Sequence, residues 1–306
     1  MNNKLSQKLS MKNKKSNYKG IKSTIKIMFC VYFIITQCSA YAFSIENTIQ
    51  DGKLIRGTLE KNEILWINGD RVHKNQNDLF YFGIPQNEKN LKIQVKRTDK
   101  DNHHLNALFS IEKKTIVVPQ QQWDTTVVNG LPKSKVTITA KNQERIAQEN
   151  LLLKEKRKIF SDTYFPICFQ RPLKDKTYRI SGNFGSRRIL NGQIGVGHSG
   201  TDYAAPIGTK TTAIADGIVE IVHSDMFLSG KTVLINHGYG LFSSYSHLNE
   251  IFVNAGDKIQ RGHLIGTIGE TGRATGPHLH FTVTWFETRI NPEQLFHDFK
   301  CPSLKQ

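Results

Sequence analysis

The stretch that most constrains this chain is Thr271–Thr282, TGRATGPHLHFT. Gly276-Pro277 closes a loop, and His278-Leu279-His280-Phe281 opens an apolar, β-branched run that continues through Val283. A run of that kind after a Gly/Pro turn predicts a strand. Side chains on a strand alternate between faces. His278 and His280 therefore share one face, while Leu279 points into a core. Two imidazoles side by side are either a surface pair or part of a site that uses both.

Two other stretches favour a site. GVGHSGTDYAAPIGT places His198 four residues before Asp202, and LFSSYSHLNE puts His247 at the end of another strand-like run. One carboxylate and two imidazoles from this set can hold a catalytic zinc ion, with the fourth position left for water. The two remaining histidines can move protons.

The surroundings read as β structure throughout. From Phe165 onward the chain is rich in glycine and short strand-like runs: Thr212–Val222, Lys231–Ile235, Leu241–Tyr245 and Ala255–Thr267. Successive short strands without a long helix imply antiparallel sheets closing a groove. Upstream, Lys53–Leu59, Glu63–Ile67 and Arg71–His73 are strand-like, and Asn68-Gly69 is a hairpin turn signal. Leu91, Ile93 and Val95 alternate with polar residues, as a half-buried strand requires. At 306 residues the chain has room for roughly two domains. The predicted fold is mainly β. A small β-sandwich spans 43–122, a linker with a helix spans 123–164, and an antiparallel β-groove domain spans 165–306. Thr139 is the expected cap of a helix over Ala140–Phe160, either a strut or a helix that binds a regulatory partner.

The first 42 residues read differently. Ile27–Ala42, IMFCVYFIITQCSAYA, is apolar, follows a lysine-rich segment and ends in Ala40-Tyr41-Ala42. It is short for a spanning helix, which needs about 20 residues. It therefore predicts a secretory signal peptide cleaved after Ala42, with an uncleaved anchor as the alternative. The formal charge is +16, but eight lysines and no acidic residue lie in Met1–Lys26. The remaining excess suits attraction to an anionic polymer such as a cell wall, and no nucleic-acid motif is present. Of four cysteines, Cys30 and Cys38 leave with the leader. Cys168 and Cys301 remain as an even count in an exported protein, which predicts a disulfide tying the ends of the C-terminal domain.

In order, NFGSRR, HSGTDYAAPIGT, INHGYG, YSHL and TGPHLHF span roughly Arg179–Pro292. This combination resembles the lysostaphin/LytM-type zinc peptidases, which cut peptide cross-links in peptidoglycan. The resemblance implies one zinc ion held by His198, Asp202 and His280. It makes His247 and His278 the catalytic histidines, either of which can be the general base. It implies peptidoglycan stem peptides as substrate and a periplasmic or cell-envelope location. The N-terminal half, with its NGLPKSKV segment, looks like that of two-domain exported members from Gram-negative bacteria. That favours the D-alanyl–diaminopimelate bond over a glycine bridge. Arg187 is either a contact for a substrate carboxylate or a surface arginine. His237 reads as structural beside its Gly-Tyr-Gly turn. His73, His103, His104, His223, His263 and His297 read as surface residues. The rival function is a non-catalytic wall-binding or amidase-activating module on the same fold. A biotin- or lipoyl-carrier fold is the third reading, and no lysine stands at a suitable hairpin tip.

Overall fold

The computed structural model describes residues 43–98, 108–128, 139–174, 178–190, 192–195 and 197–302. The leader, His103, His104 and the NGLPKSKV segment lie outside the described residues. No helix among the described residues is long and apolar enough to cross a membrane.

The C-terminal region is built on one ten-stranded sheet. Its organising strand is Leu241–Ile251. This strand pairs antiparallel with Gly230–Asn236 on one side and with His278–Trp285 on the other, and its far end pairs with Leu264–Ile268. Beyond His278–Trp285 come Thr201–Ala204 and then Arg179–Gly182. Alternation decides what these strands bury. Leu279, Phe281 and Val283 are fully buried with Tyr203, Tyr245 and Ile268, while His278 and His280 face the groove. The strand expected from TGPHLHF therefore forms with the expected faces.

The N-terminal region has two sheets. Three strands, Phe43–Ile45, Leu54–Leu59 and Leu79–Gly83, form one; four strands, Asp70–Val72, Glu63–Ile67, Asn90–Thr98 and Leu108–Val117, form the other. Asn68 and Gly69 both have positive φ, 52° and 94°, as a two-residue hairpin turn demands. The buried LFYFG strand at Leu79–Gly83 lacks the alternation used to find the others, because it is covered on both sides. One of those sides meets the C-terminal sheet: Phe82 packs on Trp285 with ring centroids 4.8 Å apart, and Lys53 pairs with Asp298 at 3.2 Å. The larger of two hydrophobic clusters among the described residues runs through both β regions.

Three local features differ from expectation. The helix runs Ala140–Arg157 and stops short of Phe160. Phe160 instead packs edge-on against Tyr239, whose backbone N–H donates to the Ser161 carbonyl, and this pulls the chain out of helical geometry. Thr139 does cap the helix, accepting from the Asn142 N–H. Residues Thr125–Val128, expected to be linker, form a strand that pairs parallel with Arg187–Leu190. A second helix, Pro292–Asp298, starts at an Asn291 cap. Cys168 and Cys301 are bonded, and the adjoining Phe169 N–H donates to the Phe299 carbonyl at 2.8 Å.

Candidate metal centre

Sheet register builds the site. Asp202 and His280 are direct cross-strand partners, so their side chains stand side by side on one face. His280 Nδ1 lies 2.7 Å from Asp202 Oδ1. His198 enters from the loop before Thr201, with Nε2 at 3.1 Å from both Asp202 Oδ1 and His280 Nδ1. His278, two residues before His280, brings its Nε2 to 3.9 Å from Asp202 Oδ1.

His247 arrives by a different device. Ser246 pairs with His280, so regular alternation would turn His247 away from the groove. At this point three residues of the Leu241–Ile251 strand oppose two of its neighbour, and His247 takes φ 61°. The bulge and the left-handed backbone turn its ring into the groove. The His247 and His278 ring centroids are 4.6 Å apart.

The outward nitrogens fix the tautomers. A carbonyl only accepts, so a ring nitrogen bonded to one must carry the proton. His198 Nδ1 donates to the Asn183 carbonyl at 3.0 Å, His247 Nδ1 to Thr271 at 2.7 Å and His278 Nδ1 to Gly276 at 2.8 Å. In its neutral form each therefore presents a bare Nε2 to the groove. His280 is reversed: Nδ1 faces the cluster and Nε2 meets Ser199 Oγ at 3.1 Å, a hydroxyl able to donate or accept. Lone pairs and a carboxylate this close repel unless a proton or a metal cation lies among them. Burial works to raise the Asp202 carboxyl, yet hydrogen bonds from the His198 and His280 rings, when in the metal-free site they carry the proton facing it, outweigh burial and hold the group well below the usual carboxylate range. Burial lowers His280 against the pull of Asp202. Burial also pushes His247 down to about 4, so it is neutral near pH 7.

The donor set fits zinc. Tetrahedral zinc with bonds of about 2.0–2.1 Å separates its ligand atoms by roughly 3.3 Å. The three facing atoms of His198, Asp202 and His280 are 2.7–3.1 Å apart. Among the described residues they are the cluster able to hold a metal ion. The carbonyls behind His198, His247 and His278 supply the outer support that orients metal-site imidazoles. A sequence shows side chains, and these supports are backbone atoms, so no motif marks them.

Other histidines fall elsewhere. His237 is fully buried, with Nδ1 donating to the Asp216 carbonyl at 2.8 Å and Nε2 accepting from Ser243 at 2.7 Å. His263 and His297 are exposed; His73 is exposed but packs on Phe160, and His223 is half-buried. Arg187 sits at the start of its strand, where its N–H donates to the Asp124 carbonyl; it is not part of the cluster.

This groove, with two imidazoles and a carboxylate converging beside two further bare nitrogens, defines a zinc metallopeptidase class of site. Residues 196–292 match the model of Peptidase family M23. It is 44% identical to the peptidoglycan DD-endopeptidase ShyA of Vibrio cholerae over 115 residues, 37% of this chain and 26% of that protein. An uncharacterized metalloprotease of Buchnera aphidicola is 26% identical across 92% of this chain and 87% of its own length. A crystal structure from Pseudomonas aeruginosa assigned to peptidase M23 superposes with a TM-score of 0.60 at 25% identity, covering 83% of this chain and 97% of that one. The chain spans about a quarter of the length of ShyA and of ShyC, a second Vibrio cholerae DD-endopeptidase that it matches.

Proposed function

We propose that this protein is an exported zinc endopeptidase that hydrolyses the D-alanyl–diaminopimelate cross-link of peptidoglycan in the periplasm. The carrying observation is the convergence of His198, Asp202 and His280 on one point, with the bare Nε2 atoms of His247 and His278 beside it. The names of the Vibrio relatives supply the substrate class.

Bound by those three side chains, zinc supplies a Lewis acid for the scissile carbonyl and lowers the pKa of water toward neutrality. His247 is neutral near pH 7 and holds its proton on the Thr271 side, so its Nε2 can accept a proton from the attacking water. The same nitrogen can return that proton to the leaving amine. His278, fixed by the Gly276 carbonyl, lies close enough to exchange this role or, when protonated, to donate to the oxyanion. The Thr271–Gly276 loop that anchors both rings forms one wall of the groove. The helix, with Leu151 and Leu152 exposed, is the surface for a regulatory partner in this reading.

Zinc-loaded Phe43–Gln306 incubated with purified cross-linked peptidoglycan, with products read by mass spectrometry, tests the proposal. Loss of cross-linked dimers and gain of monomers, blocked by a chelator, is expected. Glycine-bridge fragments would replace the proposed bond, and intact dimers despite one bound zinc would overturn the activity.

A further inference from the structure

We propose that the N-terminal region is part of the metal centre: Asp51 and Trp123 form a clamp that holds the Asn183–Arg187 turn, and through it the ring of His198. This rests on His198 being a zinc ligand.

The clamp begins at a buried carboxylate. Asp51 is fully buried and accepts three hydrogen bonds, from the Gln121 N–H at 2.7 Å, the Asn87 N–H at 3.0 Å and the Trp123 indole N–H at 3.1 Å. These fix where the chain leaves the N-terminal sheets and how the indole is turned. The indole then fills the space between two glycines. A Cβ on Gly185 would lie 2.2 Å from Trp123 Cε3, and one on Gly52 would lie 3.0 Å from Cη2. Phe184 meets the same indole edge-on, with centroids 5.5 Å apart.

The turn so gripped is the one that orients His198. Its Asn183 carbonyl accepts the His198 Nδ1 proton at 3.0 Å. Its Gly185 N–H donates to the His198 carbonyl at 2.9 Å, and the His198 N–H donates to Ser186 at 2.8 Å. The following residues continue the attachment: Asp124 accepts from the Asn183 side chain at 3.1 Å, and Thr125–Val128 pairs in register with Arg187–Leu190. Asp202 and His280 need no such help, because they are fixed by the register of the central sheet. His198 alone among the three ligands sits on a loop, and the loop is held from outside the peptidase domain. The parallel strand pair, which no sequence signal announced, is part of this attachment.

The test measures zinc affinity of the full chain by competition with a chromophoric chelator, alongside thermal unfolding of the zinc-free protein. Trp123→Ala is expected to weaken zinc binding ten- to a hundredfold, the range for losing an outer-shell support. Trp123→Phe keeps a ring against Phe184 and Gly185 and should recover most of the affinity. Ile93→Ala cuts a cavity in the N-terminal core away from the clamp and should destabilise without changing zinc affinity. Should Trp123→Ala not fold, the isosteric Asp51→Asn, which must turn its NH2 group against at least one of the three N–H donors, gives the same readout. Wild-type affinity in the folded Trp123→Ala or Asp51→Asn chain overturns the clamp. An equal loss in Ile93→Ala also overturns it, by making the effect one of general stability. Absence of zinc from the wild-type chain would instead overturn the ligand assignment.

Discussion

Acid should weaken this fold through a histidine that takes no part in the chemistry. His237 is fully buried at the turn joining Gly230–Asn236 to Leu241–Ile251, and both ring nitrogens are engaged in the neutral form. Burial pushes its pKa down to about 4, from an ordinary value of 6.5. The unfolded chain protonates this ring below 6.5, whereas the folded chain does so only below about 4. Between those values the unfolded state binds more protons, so stability falls as pH falls through the window. At about 1.4 kcal/mol per pH unit, the loss integrates to about 3 kcal/mol, a large fraction of a typical domain's stability. Above 6.5 the contribution is flat. The assay is urea unfolding of wild type and of His237→Asn, zinc-free, from pH 7.5 to 4. Asn keeps a donor for the Asp216 carbonyl and cannot titrate. Subtracting the two curves removes the metal-site histidines, which both chains share. The variant should be less stable at pH 7.5, and the gap should close or reverse by pH 4. A gap constant across the range would refute the reasoning.

Further outcomes follow from individual contacts. Gly182→Ala would put a Cβ 2.5 Å from Asp202 Oδ2; displacing that carboxylate should weaken zinc binding at least tenfold in the same chelator competition. His247→Ala should retain one zinc per chain and lose on the order of 10²–10⁴-fold in turnover, since the proposed roles make it a proton acceptor and not a ligand; metal analysis beside a peptidoglycan cleavage assay checks both halves. Replacing Cys168 and Cys301 by serine should lower stability by about 2–5 kcal/mol, read by denaturant unfolding. Non-reduced wild type should show no thiol from these two positions on denaturation.

Periodicity and register account for what could be read early. The alternation of His278, Leu279 and His280 requires only that the segment be a strand, and the core then selects the face. Asn68-Gly69 works for a similarly local reason, since few residue pairs tolerate two positive φ values. Elements that depend on distant partners were not legible. Leu79–Gly83 is covered on both sides and shows no alternation. Thr125–Val128 is a strand only because Arg187–Leu190 lies beside it. The Pro292–Asp298 helix did carry a local signal, Asn291-Pro292-Glu293, a cap followed by proline at the first turn. At the candidate site, type and order in the sequence grouped five side chains that the fold does bring together. The bulge that turns His247 inward and the carbonyls of Asn183, Thr271 and Gly276 were not, because backbone geometry has no letter in the sequence.

Anomalous diffraction at the zinc edge from crystals of the zinc-loaded chain tests the central claim most directly. The account predicts one peak bounded by His198 Nε2, Asp202 Oδ1 and His280 Nδ1 at about 2.0–2.2 Å, open on the side of His247 and His278. A peak that takes His247 or His278 as a ligand, or that lies away from this groove, would contradict it.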